Sequence, residues 1–149
     1  MNTFSENAKF LRLSGAIAAG VTDVTNITAI DMTGYKTLTL MVSAAAITTG
    51  AVTKVKMQQS TDDGSADAYS DLEGSSVTIA DSSDNTMTIL EIVNPQKKWL
   101  KPVITRLTQN AAFEGVFAIQ TGAKVLPVTQ STTHVTILER HHAPAEGTA

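Results

Sequence analysis

Tyr35-Lys36-Thr37-Leu38-Thr39-Leu40-Met41-Val42-Ser43, followed across residues 44–51 by Val52-Thr53-Lys54-Val55-Lys56-Met57-Gln58-Gln59-Ser60, is the clearest inside-outside statement in the chain. Leu38, Leu40 and Val42 alternate with Thr37, Thr39 and Ser43, the period-two signature of a half-buried strand. Met41 breaks the pattern mildly. In the second run Val55 and Met57 share one face and Lys54, Lys56 and Gln58 the other, so the solvent side is strongly polar. The two runs are expected to face each other as a hairpin across the Ala/Thr/Gly segment 44–51.

Working outward, the same period recurs with frequent turn signals. Residues 1–8 form a polar arm, and residues 9–14 a first strand with Leu11 and Leu13 on one face and Phe10 and Arg12 on the other. Val21, Val24, Ile27 and Ile30 are spaced by three, but the interleaved threonines favour an irregular strand over residues 21–30. Asp31-Met32-Thr33-Gly34 turns the chain. Residues 61–68 and 81–85 are exposed loops separated by a short strand at Val77 and Ile79. Residues 87–93 are apolar on both faces, as a strand covered on both sides would be. Pro102 lies inside the run 99–107 and cannot donate to a ladder, which predicts an edge or a bulge there. In residues 113–120, Phe113, Phe117 and Ile119 are expected inward, with a bulge at Gly115. Val135 and Ile137 mark a last strand, and residues 140–149 a small polar tail. No internal repeat and no linker is evident. About eight short strands predict an all-β, antiparallel β-sandwich of jelly-roll type in a single domain, 1–149.

Composition agrees. At 149 residues the chain is one domain in size, and a chain this long buries about 70% of its unfolded surface without staples. It has no cysteine, which excludes disulfides and thiolate metal sites. The net charge of -3 and scattered cations leave no basic stripe for phosphate contacts, so nucleic acid is not an expected partner. No apolar run approaches the length of a membrane span, and residues 1–6 do not form an export signal.

Chemistry is sparse. Asp62, Asp63, Asp67, Asp71 and Glu73 cluster as calcium ligands would, but their spacing is not that of an EF-hand, and a solvated loop is the expected state. His134, His141 and His142 are the only histidines, and adjacent side chains on an extended tail diverge, so His141 and His142 do not converge on a metal. No Gly-x-Ser-x-Gly elbow is present, since Gly74-Ser75-Ser76 lacks the second glycine. Two carboxylates meeting in space would suit a glycosidase, but one Trp and two Tyr provide few sugar platforms, and the same scarcity weakens a carbohydrate-binding module. No cofactor is expected, and no enzyme.

Asp31-Met32-Thr33-Gly34-Tyr35-Lys36-Thr37-Leu38-Thr39-Leu40-Met41-Val42, with Lys54-Val55-Lys56-Met57-Gln58-Gln59-Ser60 and Asp62-Asp63-Gly64, resembles the jelly-roll cement or decoration proteins of tailed-bacteriophage capsids. The likeness continues through Asp71-Leu72, Lys97-Lys98-Trp99-Leu100-Lys101-Pro102-Val103-Ile104-Thr105-Arg106 and Leu126-Pro127-Val128. Phage tail and head-completion proteins use similar patterns. The resemblance implies a structural virion protein that is assembled in the host cytoplasm and binds the capsid exterior. Its partners would be the major capsid protein and further copies of itself, as a dimer or trimer. The polar ends supply the contact candidates Asn2, Thr3, Phe4, Arg140, His141 and His142.

Overall fold

The computed structural model describes residues 3–50, 52–107, 110–141, 143 and 145–147. Its strands are β1 (Lys9–Ser14), β2 (Ile17–Gly20), β3 (Ile30–Asp31), β4 (Thr37–Ile47), β5 (Thr53–Ser60), β6 (Ser70–Asp71), β7 (Val77–Ile79), β8 (Met87–Val93), β9 (Trp99–Thr105) and β10 (Ala111–Thr121). One sheet, A, runs β1-β10-β4-β8 with β2 also on β10; the other, B, runs β3-β9-β5-β6 with β7 also on β5. All pairs are antiparallel. The first principal strand pairs with the last, β3 with β9, β4 with β8, and β5 with its successors, which is the nesting of a jelly roll.

That nesting corrects the expected hairpin. β4 and β5 do not pair; they lie in opposite sheets, each flanked by other strands. Their apolar faces still meet, because Leu38, Leu40 and Val42 of β4 and Val55 and Met57 of β5 are all buried in one core. Alternation dictates which face is inside, not which strand lies alongside.

Residues 21–29 are no strand. Val24 makes a single bridge to Ile104, exchanging bonds of 2.8 and 3.1 Å, and Val24, Ile27 and Ile30 each dip into the core from an irregular crossing. Arg106 explains the irregularity. Its buried guanidinium donates to the carbonyls of Thr22 (2.6 Å), Ala18 (2.9 Å) and Ala111 (2.9 Å), while Asp23 accepts from the Arg106 amide at 3.0 Å. Carbonyls that would otherwise need a ladder are satisfied by one side chain.

Pro102 sits inside sheet B, with β5 on one side and β3 on the other. Because Ile104 turns both its N–H and C=O toward Val24, Pro102 two residues earlier turns its nitrogen the same way. That places the missing donor in the gap between the Ile30 and Val24 bridges, so the proline costs no ladder bond.

The Gly115 bulge is present: the register against β4 shifts between Phe113 and Gly115. Its consequence overturns part of the expected core. Phe113 is inward, but beyond the bulge Val116, Ala118 and Gln120 are buried, while Phe117 and Ile119 turn outward and are half-buried. Gln120 crosses the sandwich to donate to the Asp31 carbonyl at 2.7 Å, tying the two sheets together.

The expected last strand at Val135 and Ile137 does not form, and residues 135–141 pair with nothing in a ladder. The nearest edge, β1, is already occupied. Gln130 Oε1 accepts from Phe10 N–H at 3.0 Å, its amide donates to the Ser5 and Ala8 carbonyls, and His134 Nδ1 lies 3.1 Å from the Arg12 carbonyl.

Replacing Arg106 by Met keeps most of the buried stem but strips three carbonyls of their donor, which should lower stability by about 2–3 kcal/mol. A urea unfolding midpoint unchanged from the native chain would show that this guanidinium does not anchor residues 18–24.

Candidate functional site

Outward from sheet A, the register sets side chains in rows. Arg12, Phe117, Met41 and Ile89 stand side by side across β1, β10, β4 and β8, and Phe10, Ile119, Thr39 and Glu91 form the next row. Val93 stands beside Thr37, and Met87 beside Ser43. Exposure rises toward β8, where Met87 (54%), Ile89 (59%) and Val93 (59%) are open to solvent. Residues 87–93 are therefore not covered on both sides. Only Leu90 and Ile92 pack on the core, and β8 is an edge strand. Near β1 the same face is partly roofed by His134 and Val135, which enclose an apolar cleft of about 300 Å³ with Phe10, Arg12, Met41 and Phe117.

The backbone of β8 is open on its far side. Ala44 N–H donates to the Thr86 carbonyl and Asn94 N–H to the Lys36 carbonyl, so the even-numbered residues between them bond to β4. The main-chain groups of Met87, Ile89, Glu91 and Val93 point away from the sheet. Among the described residues, the outer strands β3, β6 and β7 have at most three residues, and β1, with six, is bonded along its free side by Gln130 and His134, whereas β8 has seven.

Sheet B presents the opposite chemistry. Its outer side carries Lys54, Lys56, Gln58, Lys101 and Thr105. Lys56 pairs with Asp71 at 2.6 Å, Gln58 donates to the same carboxylate at 2.9 Å, and Lys101 lies over the Tyr69 ring. This is a solvated polar face.

Three of the predicted contact residues, Thr3, Phe4 and Arg140, fall at one corner. Thr3 caps the single helical turn α1 (Phe4–Asn7), and its N–H donates to the Glu6 carboxylate at 2.7 Å; this hydrogen bond holds the Glu6 carboxyl below its ordinary value. Phe4 is 62% exposed and meets Phe10 edge-on at 5.5 Å between centroids. Arg140 Nε donates to Ser5 Oγ at 2.8 Å, which brings the two ends of the chain together beside β1. His141 joins none of these; it faces Glu139 at 3.2 Å. Asn2 and His142 lie outside the described residues. The β8 strip has no signal of its own in the sequence, because a double-sided apolar pattern reads the same for a strand buried on both faces and for an edge strand with one face open.

The acidic loop is occupied by its own backbone. Asp62 accepts from the amides of Ala66 (2.7 Å), Gly64 (2.9 Å) and Asp67 (3.2 Å), bonds that hold its carboxyl low. Asp67 accepts from Thr61 N–H and Lys97 Nζ, at 2.8 and 2.9 Å. Among the described residues no group of three or more His, Asp or Glu could hold a metal ion.

No protein-family model matches the chain, and a search of curated proteins returns no relative.

The Lys97 ammonium, then the Thr61 amide, depress the Asp67 carboxyl to about 2. Because the folded value lies below the unfolded one of 3.8, this stabilisation is complete above that value and is lost as pH falls toward 2. The Thr61 amide resonance should titrate with a midpoint near 2 and lose that titration in Asp67→Asn; a midpoint at the unperturbed value would rule out the Lys97–Asp67 contact.

Proposed function

We propose that this chain is a structural binding protein that sits on the exterior of a tailed-phage capsid as a cement or decoration protein and holds neighbouring copies of the major capsid protein together. The observation that carries the binding role is the open apolar strip of β8, Met87, Ile89 and Val93, beside a row of half-buried Phe117, Ile119 and Met41. Covering Met87, Ile89 and Val93 is worth about 1–2 kcal/mol for each side chain. A strip of that size on a stable body is a reason to dock. The resemblance of residues 31–128 to cement proteins supplies the partner, and the jelly-roll topology agrees with it. Association in a homo-oligomer, as a dimer or trimer, lets several weak contacts act together on a repeating lattice. No step of this role needs a cofactor, a nucleic acid or a membrane.

The outward faces divide the labour. Sheet B, with its paired lysines and carboxylates, is solvated, and the side of sheet A and β8 is the one that benefits from cover.

Co-sedimentation with mature capsids stripped of their decoration, alongside unexpanded procapsids, tests the reading. Saturable binding to mature shells is expected, with at least a tenfold weaker affinity for an Ile89→Lys, Val93→Lys double variant whose melting temperature is unchanged, since two lost apolar contacts amount to about 2–3 kcal/mol. Absence of binding to either shell would overturn it and direct attention to a tail or head-completion role, or to a glycan.

A further inference from the structure

The string Thr-Ile-Leu-Glu occurs twice in the chain, at residues 88–91 in the middle of β8 and at residues 136–139, each time preceded by an apolar residue, Met87 or Val135. It is too short to mark a structural repeat, but the two copies have complementary fates. The first is a strand with an open edge. The second has strand composition, is exposed, with Ile137 at 78% and Leu138 at 43%, and has no ladder partner.

The second copy cannot reach the first within one molecule. Val135 lies over β1 and β10, sharing a cleft with Phe10 and Phe117. From β10 to a position outside β8 is three strand spacings, about 14 Å. The two residues from Val135 to Ile137 span at most about 7 Å. The β1 edge, which is within reach, is already taken by Gln130 and His134. Among the described residues, 136–140 are tied to the rest of the chain by an exposed bond from Arg140 Nε to Ser5 Oγ, with the Glu6 carboxylate nearby.

We propose that residues 136–140 of one copy add as an antiparallel strand to the open edge of β8 in a second copy. Main-chain bonds from Ile89 and Glu91 give the affinity, and side-chain pairing gives the register. With Leu138 opposite Leu90, Ile137 stands across from Glu91 and Glu139 across from Ile89, so each carboxylate faces an apolar neighbour. A slip of two residues would set Glu139 against Glu91, a like-charge pair that disfavours it. The contact joins different surfaces of two copies, so reciprocal exchange closes a dimer and head-to-tail exchange closes a ring. This self-association does not depend on the capsid reading and is measured on the purified protein alone.

Sedimentation equilibrium of the full chain should give a multiple of 15.7 kDa. Deleting residues 136–149, or introducing Ile89→Pro, should each return a monomer with unchanged circular dichroism. Proline at 89 removes an outward N–H and leaves the bonds to β4 intact. Because the chain has no cysteine, a Thr88→Cys preparation mixed with an Arg140→Cys preparation should form a disulfide-linked heterodimer under mild oxidation. A full chain that is monomeric throughout the micromolar range overturns the proposal, and so does an oligomer unaffected by the deletion. An oligomer that is lost with Ile89→Pro but kept by the deleted chain would pair β8 with β8 and equally overturn it. If Ile89→Pro does not fold, the cysteine mixture decides, and an absent heterodimer is the negative result.

Discussion

The phase of β10 governs the two faces of sheet A. β10 lies between β4 on one side and β1 and β2 on the other, so the parity of its residues is transmitted to every row of side chains in that sheet. One extra residue at Gly115 inverts that parity. A Cβ there would come within 2.8 Å of the Phe117 ring and 3.4 Å of the Ser14 carbonyl, so the bulge and its glycine go together. Without it, Phe117 and Ile119 would enter a core already filled by Phe113, and Gln120 would leave the position from which it bonds to Asp31 across the sandwich. One bulge therefore gives both the cross-sheet hydrogen bond and the apolar outer face.

Much of this was legible in the sequence where a residue's own periodicity decides the matter. The alternation of β4 and β5 names their buried residues correctly, and Gly115 is identifiable as a bulge. The apolar pattern points Phe117 and Ile119 inward, but the bulge at Gly115 reverses the parity of the residues that follow it and turns both outward. Pairing was the larger loss. Nothing in residues 35–60 distinguishes a hairpin from two strands facing each other across a core, since both demand the same apolar face. The spacing of Val24, Ile27 and Ile30 was visible, yet the reason it makes no strand lies about eighty residues away, in the guanidinium of Arg106. Long-range satisfaction of backbone groups leaves no local signature.

Charge placement explains why the two sides of the sandwich differ in character. On sheet B, Lys56 and Asp71 are partners across neighbouring strands, and Lys97 reaches the acidic loop through Asp67, so these charges are spent on internal order. Such exposed pairs add little stability, but they keep that face hydrated and unattractive to apolar partners. Apart from Glu114 on β10, which accepts from Ser43 Oγ at 2.6 Å, the outer face of sheet A has few charges, Arg12 at one margin and Glu91 near the other. The residues between them are phenylalanine, methionine, isoleucine and threonine.

Glu91 is the selective element on that face. An open seven-residue edge with Met87, Ile89 and Val93 exposed would otherwise pair with any extended chain, and a carboxylate in its middle is the usual protection. Thr39 Oγ1 donates to Glu91 at 3.2 Å, which draws the carboxylate toward β4. A partner that covers β8 must either leave this group at a wet rim or bring a donor to it, since a buried carboxylate without one costs several kcal/mol. Two β8 strands aligned Glu91 to Glu91 would bring a second carboxylate instead of a donor, a like-charge pair that disfavours that alignment. Geometry opens the edge and chemistry narrows what can close it, so for any partner that docked there the residues outside β8's apolar triad would discriminate more than the triad itself.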